Sequence, residues 1–405
     1  MTAADSPPWS EEGSEDILGQ DRMVMSLLRT IEQLGNGTMV AVYSEPGAGG
    51  GLFLKRLAWM LSSDRKRARL RTNALLSTVA WYDPWLATPN RSPLTGLAGA
   101  LAQSAMNPQV ASDRASDFIA QLNRMNNDQT SGGAGGMRPG GELPMVGVQR
   151  AFAQLVVTAR GGRSGRLVLF LPNMDRISAS RRWALLEGLA LLMDGGAELS
   201  VVMALDPADL QASLRTRSPD ASHQHLRLMG ERMFDLTLQI PPLGVRRIST
   251  LLRRYVGEGE EILQQSFGVT ALSRLSVAVA HEPLGSPRFL KTLAVRVLML
   301  AEFALEARSS RTLSEAQWAW VVLSQRWPEL RSYMHTTARW AELRQTLIWL
   351  QKADRNPREM VRSSLVKKLE ADPNLYRYLR LQARGFEGDT DGLLWIEGML
   401  RAAGL

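Results

Sequence analysis

The chain has 405 residues, which is enough for two or three domains of about 150 residues each. Its 48 Lys and Arg against 40 Asp and Glu give a net charge of +8, and the absence of cysteine excludes disulfides and thiolate metal sites. With four His we expect no metal site, and because no apolar run resembles a signal peptide or a bilayer-spanning helix, we expect a folded, cytoplasmic protein.

The first elements in chain order suggest a nucleotide-binding type of fold. Residues 1–15 are polar and acidic, and we predict that they are disordered. A helical pattern then runs to about residue 35, and residues 39–43 form a short apolar run typical of a buried strand. A glycine-rich turn and a further helix follow, so the order is strand, glycine loop, helix.

The same rhythm repeats through the first 242 residues. Five apolar runs have the character of strands and alternate with helices, and they are residues 39–43, 77–82, 166–171, 199–205 and 235–240. This alternation predicts an α/β domain over residues 16–242, with a mostly parallel sheet covered on both faces. A long helix is expected over about 93–125, and residues 123–141 are predicted to be a flexible glycine-rich loop.

Strand patterns stop at the end of this region. We predict a helical lid over residues 243–310 and a Trp-rich helical domain over residues 311–405. The expected helices are about 244–256, 259–282, 287–307, 313–326, 336–352, 357–369 and 390–403. The Trp residues favour an aromatic core, and the alternative is an exposed docking surface.

The glycine-rich turn has the position of a phosphate-binding loop but lacks its reactive side chains. In the pattern G-x-x-x-x-G-K-[ST], Ser44 takes the first Gly, Gly49 the second, Gly50 the Lys and Gly51 the hydroxyl. The backbone can still turn, whereas a missing Lys removes a charge-assisted hydrogen bond worth about 1.5–3 kcal/mol. Lys55 lies further along the helix, so we do not expect it to substitute. The candidate phosphate-binding residues are Ser44, Gly47, Ala48, Gly49, Gly50, Gly51 and Leu52.

A second nucleotide element is also altered. An acid is expected at the end of the third strand, where it would hold magnesium and orient water. Pro172 and Asn173 stand there instead, and neither can act as a base. The chain therefore lacks the Lys, the hydroxyl and the strand-end acids that phosphoryl transfer uses.

Four further segments carry a resemblance to a known family. Leu169–Arg176 (LFLPNMDR) is similar to the hydrophobic-D-D-L-D-R stretch of the KAP family of P-loop NTPases, with its two leading acids replaced. Tyr82–Leu86 resembles that family's N-P-W segment, Ala204–Asp206 its strand ending in Asp, and Gly285–Lys291 its N-P-R-x-x-K-R motif. Together with the glycine loop, the motifs stand in the family's order over roughly residues 15–310.

The resemblance implies a P-loop NTPase-like three-layer fold and a nucleotide, ATP or GTP, as the possible cofactor. It also adds Asp175, from the D-R end of the third-strand motif, and Arg288, from the helical lid, to the nucleotide-binding candidates. Asp175 and Arg176 can equally brace the edge of the sheet by pairing with neighbouring groups, and we prefer that role. Arg288 can equally form a salt bridge.

Three functions remain open at this stage. The first is a catalytically degenerate pseudo-NTPase that acts as a scaffold or regulatory partner of another protein, and no catalytic residue is assigned. The second is an ATP- or GTP-binding switch that uses the glycine loop and Arg288 without efficient hydrolysis. The third is electrostatic binding to nucleic acid or an anionic membrane surface through a basic cluster, Arg65, Lys66, Arg67 and Arg69.

Overall fold

The chain divides into two compact units, Met1–Pro241 and Pro242–Leu405. The structure, a computed structural model, describes residues 16, 18–34, 37–45, 47–62, 78–87, 92–130, 144–161, 166–222, 230, 232–280, 286–334, 342–343, 345, 372–386 and 390–405. The acidic lead over residues 1–15 and the basic cluster at 65–69 lie outside these residues.

A five-stranded parallel sheet forms the centre of the first unit. Its strands are β1 Thr38–Tyr43, β2 Thr78–Trp81, β3 Leu167–Leu171, β4 Leu199–Leu205 and β5 Leu236–Gln239. Their order across the sheet is β2-β3-β4-β1-β5, and every neighbouring pair is parallel. The five predicted strands are confirmed to within two residues at each end.

Helices cover both faces of this sheet. They are α1 Asp21–Leu34, α2 Gly50–Ser62, α3 Pro93–Ser104, α4 Pro108–Thr130, α5 Pro144–Arg160, α6 Ala179–Asp194 and α7 Pro207–Arg217. Side chains of α1 and α2 pack with Val40 and Val42 of β1, whereas those of α3 to α7 pack with Met39 and Ala41 on the other face. Because parallel crossovers are right-handed, the chain changes face when its direction across the sheet reverses after β2.

Two predictions about this unit are wrong. The expected helix over 93–125 is two helices, α3 and α4, because the residue before Pro108 is disfavoured in the helical conformation. The predicted loop over 123–141 begins too early, since residues 123–130 belong to α4, and residues 131–141 are outside the described part of the chain. Helix α5 was not predicted.

The described part of the second unit is helical. Its helices are α8 Val245–Val256, α9 Glu260–Phe267, α10 Ala271–Ala280, α11 Pro287–Glu306, α12 Glu315–Arg326, α13 Pro328–Tyr333, α14 Pro373–Phe386 and α15 Thr390–Ala402. The single helix expected over 259–282 is interrupted at Gly268, whose φ of +89° ends α9. The helices expected over 336–352 and 357–369 fall almost entirely outside the described residues.

Aromatic side chains form the core of this second unit. Trp318 and Trp320 are fully buried, and Trp318 packs edge-on against Phe267 with ring centroids 5.7 Å apart. The prediction of a Trp-rich core is confirmed for these two residues. No helix within the described ranges is both long and apolar enough to cross a bilayer.

Candidate functional site

The glycine loop lies at the carboxyl end of β1, where the topology of the sheet favours a ligand site. The helix after β1 packs on one face and the helix after the neighbouring strand β4 on the other, so this is the switch point of the sheet. Helix α2 is held against α1 by Arg56, whose guanidinium donates hydrogen bonds of 2.7 and 2.9 Å to both carboxylate oxygens of Asp21. The loop therefore connects two packed elements, strand β1 and helix α2.

The loop turns tightly through residues that need glycine. Gly47 and Gly49 have φ angles of +81° and +104°, and the Ala48 amide donates to the Glu45 carbonyl at 2.9 Å. Helix α2 begins at Gly50, and the backbone amide of Phe53 in its first turn donates to the Gly49 carbonyl at 2.8 Å. The predicted sequence of strand, glycine turn and helix is therefore present.

At Gly50, the position of the missing Lys, the backbone is closely covered. A Cβ added to Gly50 would lie 2.3 Å from the Ser44 Oγ and 3.1 Å from the Ala204 Cβ. Ser44 stands where the phosphate-loop pattern has its first Gly. The two departures from the pattern, Ser44 for Gly and Gly50 for Lys, are therefore in contact with each other. A side chain at position 50 therefore requires Ser44 to move or to become smaller.

A cavity of about 910 Å³ opens beside this loop. It lies at the carboxyl ends of β2 and β3 and is bounded by α2 and α3. The lining residues from α2 are Gly51, Leu52 and Lys55. The structure thus places Gly51 and Leu52 in the lining, together with Lys55, which the sequence had led us to set aside.

The lining of the cavity includes a carboxylate that sequence analysis did not assign. Asp83 follows β2 and Asn173 follows β3, and the Asn173 Nδ2 donates to Asp83 Oδ2 at 2.6 Å. The Trp85 amide donates to Asp83 Oδ1 at 3.0 Å, and both Asp83 and Asn173 line the cavity. Asn173, which stands where an acid is expected at the end of β3, is thus hydrogen-bonded to an acid at the end of β2.

The turn after β3 is fixed by a buried arginine. The guanidinium of Arg182, on α6, donates to the carbonyls of Met174, Ile177 and Asp209 at 2.8, 3.0 and 2.6 Å. It also lies 3.4 Å from Asp209 Oδ1 and donates to Ser213 Oγ at 3.0 Å. Arg182 therefore braces this turn, and the bracing role of Asp175 and Arg176 stays a prediction.

The remaining candidates have different surroundings. Arg176 is exposed and lines the cavity, whereas Asp175 is exposed and is not among its lining residues. Asp206 caps α7 by accepting the Ala208 amide at 2.9 Å, as its sequence context indicates. Arg288 is exposed on the first turn of α11 in the second unit, and its neighbour Ser286 caps that helix.

Tyr82 positions the wall formed by α3. Its hydroxyl donates to the Pro93 carbonyl at 2.9 Å, and a Cβ on Gly96 would lie 2.6 Å from that hydroxyl. The pKa of Tyr82 is raised to about 12, mainly because the phenol is buried; the charge of Arg181 lowers this pKa and that of Asp83 raises it. The neutral phenol is therefore the form that the folded protein stabilises.

Replacing Tyr82 with Phe should cost about 1 kcal/mol at neutral pH, the net value of one hydrogen bond. Because the folded pKa is raised, the contribution of the phenol is complete below the ordinary pKa of 10.0 and is lost as pH rises towards about 12. Urea unfolding at pH 8 to 12 should therefore show the stability difference between wild type and Tyr82→Phe shrinking above pH 10. A difference that is constant over this range would contradict the assignment.

The comparisons with known proteins return no match, either among protein-family models or among curated proteins. Within the described residues, no group of three or more His, Asp or Glu side chains is arranged to hold a metal ion.

Proposed function

We propose that this chain is a catalytically silent P-loop-like protein of the KAP type that acts as a regulatory or scaffold partner of another protein. The observation that carries the proposal is the contact between Ser44 and Gly50. Gly50 stands at the position where a phosphate-transferring loop has its Lys, and the Ser44 hydroxyl occupies the space that a Cβ at Gly50 would need.

The end of β3 supports the same proposal. Asn173 stands at the expected position of the acid, and its amide donates to Asp83. An amide cannot accept a proton from water, so Asn173 cannot replace the acid as a base. Loss of the cation and of the strand-end acid acts on the same transition state, so one compensating side chain does not restore the reaction.

The decisive experiment is a hydrolysis assay on the full chain with ATP or GTP and magnesium. We expect no turnover above a mock preparation for wild type and Gly50→Lys. The double variant Ser44→Gly/Gly50→Lys should accommodate the new side chain without the shift of Ser44 that Gly50→Lys requires, and should therefore melt at a higher temperature than Gly50→Lys. It should remain inactive because Asn173 is unchanged. Wild-type turnover that disappears in Gly49→Arg would contradict the proposal.

The second candidate function is a nucleotide-binding switch without efficient hydrolysis. It is favoured by the cavity beside the first turn of α2, which is large enough for a nucleotide. Under this proposal millimolar ATP with magnesium raises the melting temperature of wild type but not of Gly49→Arg.

A further inference from the structure

Two cationic and one anionic side chain line the cavity beside β2 and β3. They are Lys55, Arg176 and Asp83, so the charged lining has an excess of one positive charge. The volume of about 910 Å³ falls near the top of the range of about 300–1,000 Å³ that is common for small-molecule sites. The cavity thus has the size and the charge for an anionic small molecule.

The anionic group of such a ligand is best placed near the start of α2. Gly51 and Leu52 lie in the first turn, where backbone N–H groups have no partner inside the helix, and both residues line the cavity. Helix N-termini favour phosphate, and Lys55 enters the lining one turn further along. Arg176 adds a second cation from the turn that Arg182 fixes.

Asp83 limits how much negative charge the ligand can carry. Each of its two oxygens accepts one hydrogen bond, from Asn173 Nδ2 and from the Trp85 amide, and an ionised carboxylate has about four acceptor positions. It can therefore accept a hydroxyl or amino group of a ligand, while it repels a second or third phosphate. This favours a ligand with one phosphate and a hydrogen-bonding body.

Small residues of α3 leave room for that body. Gly96, Gly99 and Ala100 line the cavity, together with the polar side chains of Thr95 and Gln103. A Cβ added to Gly99 would meet no atom within 4 Å. A larger side chain at Gly99 can therefore fill the cavity without a clash in its own surroundings.

We propose that this cavity binds a phosphate monoester with a hydroxylated body, of the size of a nucleoside monophosphate, in preference to a triphosphate. The phosphate lies between the first turn of α2, Lys55 and Arg176, and the body extends along α3 with Asp83 as an acceptor. The site goes beyond the proposed function, because it requires neither a triphosphate nor hydrolysis.

Isothermal titration of the full chain with AMP, ribose 5-phosphate and ATP tests the proposal. Both monoesters should bind, and ATP should bind about tenfold more weakly than AMP because of Asp83. Asp83→Asn should reduce this preference. Lys55→Met and Arg176→Gln should each weaken AMP by about tenfold or more, whereas Lys291→Met, an exposed position in the second unit, should not.

Gly99→Leu should abolish binding, and Gly398→Leu is its matched control. Gly398 is also helical, and its added Cβ likewise meets no atom within 4 Å. If the melting curve of Gly99→Leu shows that this variant does not fold, AMP binding by Lys55→Met and Arg176→Gln tests the proposal instead.

Three results would overturn the inference. They are no binding of either monoester at millimolar concentration, tighter binding of ATP than of AMP, and binding that is unaffected by both cation variants. ATP turnover with monoester binding intact would overturn the proposed function alone. Absence of both turnover and monoester binding would overturn this inference alone.

Discussion

Arg182→Ala is expected to lower the free energy of unfolding of the first unit by about 3–5 kcal/mol. The side chain is 3% exposed, and its removal leaves the Met174 and Ile177 carbonyls and the Asp209 carboxylate without their donor. Burial raises the pKa of Asp209, and the charge of Arg182 lowers it. Removal of Arg182 therefore raises the pKa of Asp209 further and favours its neutral form. Arg182 thus joins the turn after β3 to α6 and α7.

Urea unfolding of the full chain, combined with amide hydrogen exchange in β3 and β4, measures this effect within the first unit. Arg182→Lys should be intermediate, because an ammonium has three donors and cannot reach all the acceptors of the guanidinium. Arg22→Ala is the control, since Arg22 is exposed on α1. A loss in Arg182→Ala no larger than in Arg22→Ala would show that the contacts of the guanidinium contribute little.

Glu397→Ala is expected to destabilise the second unit by about 3–5 kcal/mol. Glu397 is 4% exposed, and its carboxylate accepts from Trp320 Nε1 at 3.0 Å and from Arg331 Nε at 3.1 and 3.2 Å. Arg401 Nε donates at 2.8 Å. Burial lowers the pKa of the nearby Arg296, Arg331 lowers it further, and Glu397 raises it. Without the carboxylate these cations lose the charge that balances them.

The matching measurement is urea unfolding with hydrogen exchange followed in α12 and α15. Glu397→Gln should cost less than Glu397→Ala, because its amide oxygen still accepts from Trp320. Glu302→Ala, at an exposed position of α11, should have a small effect. Equal stability of Glu397→Ala and Glu302→Ala would rule out a structural role for this buried cluster.

Local patterns in the sequence were sufficient for the strands and for most of the helices. A buried parallel strand is a short apolar run, as in Leu199–Leu205, and such a run is visible without knowledge of its neighbours. Helix breaks were predicted less well, because Gly268 and the residue before Pro108 act on backbone angles that apolar periodicity does not report. The glycine loop and its missing Lys could also be read directly from residues 44–51.

The cavity and its polar residues were decided by tertiary structure. Asp83 and Asn173 are 90 residues apart, and they meet only because β2 and β3 are adjacent and parallel, which brings their carboxyl ends to one edge. In the same way, the departures at Ser44 and Gly50 can each be read from the sequence, but their contact appears only once the loop closes on itself. Local sequence determines which residues form strands and turns, whereas the order of the strands determines which of their ends face one another.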